Sequence, residues 1–136
     1  MRTIWTFILS SLIVLLIPSL APARDSVSGL KITELAITTK IVRGKPIDSV
    51  HRISSASVKA LYCFTRTVSD TGDEKVIRHV WFKDNEKVAE YDLPLKGKRW
   101  RTYSKKAVER GSAGDWRVDV TDGEGKPLKS VRFRMN

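Results

Sequence analysis

The sequence predicts an all-β fold, an antiparallel β-sandwich of about seven strands. Three observations carry the prediction. Short β-branched or aromatic runs recur with alternating polarity. Clusters of Gly, Pro, Asp and Asn separate them at close intervals. After the first 23 residues, no window of roughly a dozen residues keeps apolar positions at helical spacing.

The elements follow in order. "MRTIWTFILSSLIVLLIPSLAPA" carries one charge, Arg2, then an apolar run from Ile4 to Ile17, a break at Pro18 and Ala21-Pro22-Ala23. That is the layout of a secretory signal peptide, with cleavage expected near Ala23. The alternative is an uncleaved inner-membrane anchor, but the run is short for a bilayer span of about 20 residues. Residues 24–34 read as an N-terminal extension leading into the first strand, and 35–136 as the sandwich domain. The chain carries +10 at pH 7, and the leader accounts only for Arg2.

"LKITELAITTKIV" (30–42) is the first strand, with Leu35, Ile37, Thr39 and Ile41 on one face. Residues 43–57, with Gly44 and Pro46, read as a loop between sheets. Strands are then predicted at 57–67, 75–82, 87–95, 99–105, 115–122 and 128–135. The segment 104–112 has room for one helical turn. In the last pair, Trp116, Val118 and Val120 alternate with Arg117 and Asp119, and Val131 and Phe133 with Arg132 and Arg134. This is a hairpin with one dry and one wet face.

"RHVWF" (78–82) is the ambiguous strand, because both of its faces carry large side chains. Its register against 87–95 depends on the parity of the turn "KDNE" (83–86). An even loop puts His79 and Trp81 on a wet face beside Glu90 and Asp92. An odd loop joins Ile77, His79 and Trp81 to Ala89, Tyr91 and Leu93, and sets Arg78 beside Glu90 and Asp92. Burial tendency favours the odd register, with Phe82 then left on the outer face.

Four stretches in order, "LYCFTRTV" (61–68), "RHVWFKDNEKVAEYDLPL" (78–95), "RWRTYSKK" (99–106) and "GDWRVDVTDGEGKPL" (114–128), resemble the bacterial family called domain of unknown function 2914. There an "FTR" strand is followed by "HVWY", a short turn, "WRTWSSK" and "W-G-WRV-V-D-G". The resemblance runs over roughly residues 35–135. It departs at Asn85, where many members carry Gly, although Asn tolerates the left-handed conformation. The resemblance implies an envelope-associated, immunoglobulin-like module and no particular reaction.

The residues themselves offer little catalytic chemistry. There is no GxSxG elbow and no Gly-rich loop opening a helix. "DGEG" (122–125) lacks the acid spacing of a calcium loop and reads as a hairpin turn. No cofactor and no metal are expected, since His51 and His79 lack ligand-spaced neighbours. A His79–Asp92–Ser104 triad is the enzyme alternative, resting on common residue types. Cys63, alone in the chain, sits in an apolar run and reads as a small buried hydrophobe, so no intermolecular disulfide is expected through it.

Binding has more to draw on. Arginines pair bidentately with carboxylates or phosphates, and aromatic faces stack on sugar rings. The candidate residues are Arg78, His79, Trp81, Arg99, Arg101, Tyr103 and Arg117, the best patch being Arg99, Arg101 and Tyr103. Trp100 and Trp116 read as core. The expected function is an exported, non-catalytic module of the bacterial envelope, periplasmic or secreted. Its expected partners are an envelope protein, an acidic polysaccharide or lipid headgroups, with no nucleic acid and a monomeric state. The alternative is an uncharacterised hydrolase using His79 with nearby carboxylates.

Overall fold

The computed structural model describes residues 29–136. The expected signal helix and its cleavage point lie outside these residues. Ten strands follow in chain order: β1 Leu30–Thr38, β2 Ile41–Val42, β3 Lys45–Pro46, β4 Arg52–Ile53, β5 Ala60–Ser69, β6 Lys75–Lys83, β7 Glu86–Leu95, β8 Arg99–Ala107, β9 Gly114–Asp122 and β10 Pro127–Met135. Seven are long, and they are the seven that alternation predicts. Among the described residues there is no helix. The helical turn allowed at 104–112 does not form, because β8 runs on to Ala107 in register with β5.

The long strands form two sheets, ordered β1-β5-β8 and β4-β10-β9-β6-β7. Their pairings are antiparallel except β4 with β10, which is parallel over two residues. The first strand, expected to run to Val42, ends at Thr38, and the stretch 43–57, expected as loop, contains β3 and β4. Residues 41–46 form a separate hairpin, β2–β3, turning through Arg43 and Gly44, both with positive φ. Asp48 ties this hairpin to the end of β1. Its carboxylate accepts hydrogen bonds from the Thr38 and Thr39 hydroxyls, each at 2.6 Å, and from the Thr39 amide at 2.9 Å. Partial burial works against the charge, but these three donors outweigh it and hold the Asp48 carboxyl below its ordinary range.

The core lies between the sheets. One apolar cluster gathers Ile37, Leu61, Cys63, Trp81, Trp116, Val118, Phe133 and Met135. Trp116 and Phe133 stack at 5.8 Å, and Trp81 meets both edge-on. A smaller cluster holds Ile77, Leu95 and Val120. Trp116 is core as expected, whereas Trp100 is half-buried and packs at the margin of the smaller cluster. Burial pushes the Cys63 thiol well above its ordinary range, which keeps it protonated and unreactive.

The register of β6 against β7 is the one burial favours: Ile77, His79 and Trp81 oppose Leu93, Tyr91 and Ala89. The turn does not supply the odd residue. Lys83 pairs with Glu86 across a two-residue turn, Asp84-Asn85, with φ of 48° and 66°. That conformation suits Asn and Asp and matches strand twist. The parity changes one step later, where Trp81 opposes Ala89 and Phe82 opposes Lys87. Val88 is the extra residue of a β-bulge.

Candidate binding surface

The candidate residues divide among three environments. His79 and Trp81 are fully buried, and no ligand reaches them at the surface. They belong instead to a polar network between the two apolar clusters. His79 Nε2 lies 2.8 Å from Thr65 Oγ1, and His79 Nδ1 lies 2.7 Å from Ser104 Oγ. The Trp81 indole donates to the same Ser104 Oγ at 3.0 Å. One proton arrangement gives both ring nitrogens and the Ser104 hydroxyl a partner: Ser104, accepting from Trp81, donates to Nδ1, and Nε2–H donates to Thr65. Burial lowers the His79 pKa to about 4, so the ring is neutral at pH 7.

The Asp92 of the imagined triad is on the other face of the sheet. It accepts from Arg78 Nε at 2.6 Å, with Glu90 at 3.0 Å from the same nitrogen. His79 and Ser104 thus meet, but with no carboxylate and no opening to solvent.

Arg78 and Arg117 lie on the outer face of the five-stranded sheet, among carboxylates. Arg117 Nε pairs with Asp119 at 2.9 Å, and its guanidinium sits 4.2 Å above the Phe82 ring. This accounts for the outward phenylalanine: it is the platform for a cation. Lys87 pairs with Glu90, and Arg134 with Asp115 at 2.7 Å. The face is a largely compensated lattice of charge.

The outer face of the three-stranded sheet is different. The registers set four rows across it: Lys31–Val68–Arg99, Glu34–Arg66–Arg101, Ala36–Phe64–Tyr103 and Thr38–Tyr62–Lys105. Lys31, Arg66, Arg99, Arg101 and Lys105 thus share the face with one carboxylate, Glu34. Glu34 meets Arg66 Nη2 at 3.3 Å. Arg66 and Arg101 are direct cross-strand neighbours, a like-charge pairing that opposes folding. The Arg66 Nε is buried and has no hydrogen-bond partner. Arg66, Arg99 and Arg101 line one recess of about 260 Å3 together with Val68 and Trp100. A second, open groove of about 500 Å3 shares Trp100 and Arg101 and continues past Tyr103, Pro94 and Lys96. Tyr103 is 47 % exposed and meets Tyr62 edge-on at 5.8 Å. The β2–β3 hairpin borders this groove through Gly44, and Phe64 is buried at its floor.

The patch Arg99, Arg101 and Tyr103 therefore does share one surface. Sequence reasoning missed Arg66. The available signal was an arginine in an otherwise apolar or hydroxyl-bearing run, "LYCFTRTVS", but its partner across the sheet is 35 residues away and only the β5–β8 pairing reveals it.

Comparison with known proteins agrees with the architecture. Residues 74–135, which span β6 to β10, match the family model described as "Protein of unknown function (DUF2914)". The "LYCFTRTV" stretch lies ahead of the matched span. Among solved structures, an immunoglobulin-like protein of Pseudomonas aeruginosa is similar at a TM-score of 0.53 and 9 % identity, over 79 % of this chain and 96 % of that one. The alkylpurine DNA glycosylase AlkC of Pseudomonas fluorescens, bound to DNA containing an abasic site analog, is similar at a TM-score of 0.52 and 12 % identity. That likeness covers 80 % of this chain but only 31 % of the glycosylase. At such identities the likeness shows fold alone, immunoglobulin-like by the Pseudomonas aeruginosa protein, and nothing of activity. No curated protein matches the chain in sequence.

Proposed function

We propose that this chain, whose strands β6–β10 carry the DUF2914 match, is an exported, non-catalytic binding module of the bacterial envelope that docks an anionic partner on the outer face of its three-stranded sheet. One observation carries the reading. The arginines of the five-stranded sheet named above sit beside carboxylates, whereas the strands of the opposite face set five cations with Glu34 as their one strand carboxylate, and Asp48, at the end of β1, is engaged by Thr38 and Thr39. Uncompensated charge held on rigid strands is worth more to a ligand than to the fold. The leader-like N-terminal sequence supports export, and within the envelope an acidic polysaccharide is the partner best matched to arginines flanked by aromatic rings.

Binding is tested by titrating the purified protein with an acidic glycan, with anionic vesicles and with a neutral glycan across ionic strength. Affinity for the acidic glycan that falls steeply with salt supports the reading. Affinity indifferent to salt, or equal for the neutral glycan, refutes it. Export is tested by fractionating cells and sequencing the N-terminus, expected at Arg24. Recovery of the chain in the cytoplasm with its leader intact refutes that part.

The hydrolase alternative has the His79–Ser104 hydrogen bond in its favour. Against it stand the burial of both residues and the engagement of Asp92 with Arg78 on the far face.

A further inference from the structure

We infer that the recess between β5 and β8 is a carboxylate site for a uronate-bearing polysaccharide, held by Arg66, Arg99 and Arg101 with the adjoining sugar ring against Tyr103. The inference rests on the binding function proposed above and names its site and ligand class. Arg66 is the central observation. Its Nη2 is engaged by Glu34, but its Nε–H is buried without an acceptor. A guanidinium offers paired N–H groups as a parallel fork that fits a carboxylate, and Arg99 and Arg101 present theirs from exposed side chains. An incoming carboxylate in the recess meets Arg66, whose side chain is 43 % exposed, together with Arg99 and Arg101, and screens Arg66 from Arg101, its direct neighbour across the ladder. Arg99, on the same face of β8, completes the cationic wall of the same recess.

The ligand class follows from what adjoins the cations. Trp100 and Arg101 are walls of both the recess and the larger groove, so a group bound at the arginines leads directly to Tyr103, Pro94 and Lys96. A charged group attached to an apolar ring face, repeated along a polymer, is the chemistry of a uronic acid polysaccharide. A lipid headgroup would present its charge at the end of the molecule and leave the aromatic groove unused. The tip of the β2–β3 hairpin approaches Arg101, whose Nη1 would lie 4.0 Å from a Cβ at Gly44, and so closes one end of the groove.

The test is binding of the purified full chain to polygalacturonate, to its methyl ester (the same backbone without free carboxylates) and to phosphatidylglycerol vesicles. Variants are Arg66→Gln, Arg99→Gln, Arg101→Gln and Tyr103→Ala, with Arg132→Gln on the opposite sheet as control. Arg99, Arg101 and Tyr103 are exposed, so those three variants keep the fold testable where Arg66→Gln disturbs it. The expected result is binding to polygalacturonate and not to the ester. Each β8 arginine variant should weaken it by about tenfold, as the loss of a charged hydrogen bond does, with Arg132→Gln unchanged. Equal weakening by Arg132→Gln overturns the site while leaving an anionic partner in place. Tighter binding to the vesicles, with the same arginine dependence, overturns the polysaccharide as occupant. Binding to none of the anionic probes overturns both this inference and the function on which it rests.

Discussion

Acidification should unload the core of this protein through one side chain. His79 is fully buried, and its pKa falls from an ordinary 6.5 to about 4 because burial penalises the charged ring. Below pH 6.5 the unfolded chain takes up a proton at this position that the folded chain refuses. The unfolded state then binds more protons, so stability falls as pH falls. The loss begins near pH 6.5 and levels off below about pH 4, where the folded ring is protonated too. At 1.36 kcal/mol per unit, a shift of this size is worth about 3 kcal/mol. That is a large part of the roughly 5–15 kcal/mol that holds a domain together. The Asp48 carboxyl, held below 3.8, works in a separate window: its contribution is present above 3.8 and is lost at more acidic pH. The assay is urea unfolding at a series of pH values for the native chain and for His79→Gln, which keeps a donor and an acceptor without a titrating group. The native chain should lose about 3 kcal/mol between pH 7 and 4, and the variant should lack that slope. In parallel, the His79 imidazole resonance, assigned by its loss in His79→Gln, should stay unshifted down to pH 5. Coincident pH profiles for the two proteins, or a His79 resonance that titrates near 6.5, would refute the reasoning.

Three further outcomes are expected. Ser104→Ala strands the Trp81 indole and His79 Nδ1 together, and should cost about 2–4 kcal/mol by denaturant titration; under about 0.5 would mean the network does not form. At Asn85, with φ of 66°, exchange for Gly should change stability by only a few tenths of a kcal/mol, while exchange for Val should cost about 1–2 and lower Tm by several degrees. Cys63, fully buried and protonated, should react with an aromatic disulfide reagent only as fast as the chain opens; rapid labelling of the native protein would contradict its placement.

The long strands were legible because alternation and turn chemistry are local. The β9–β10 hairpin shows it: Trp116, Val118, Val120 and Phe133 face the core, and the Asp122 carboxylate caps the turn by accepting from the Glu124 and Lys126 amides. The outcome at β6 was legible too, but its cause was not. No local signal marks Val88 as a bulge, since it is the packing of Trp81 against Trp116 and Phe133 that selects the register. The short β2–β3 hairpin was missed because Ile41 and Val42 continue the alternation of the first strand and each strand of the hairpin has only two residues. In the binding surface, Arg99, Arg101 and Tyr103 were visible as one face of one strand. Arg66 and Glu34 were not, because a cross-strand row joins residues far apart in the chain. His79 and Trp81 were drawn toward the site by residue type, and burial placed them in the core instead.

The bulge at Val88 also bears on how copies of this protein meet one another. β7 and β8 are edge strands of the two sheets, and each leaves one row of backbone groups unpaired within its sheet. On β7 that row is broken twice, by the extra Val88 and by Pro94, which has no amide hydrogen to donate. A second chain therefore finds no uninterrupted ladder there to extend. β8 has neither device and pairs without a register shift along its length. Its protection is electrostatic: Arg99, Arg101 and Lys105 alternate along the strand, so two β8 edges brought together repel at low salt. Edge-to-edge association through these two strands is thus opposed by geometry on one and by charge on the other. Only the second barrier weakens when salt or a bound polyanion neutralises it.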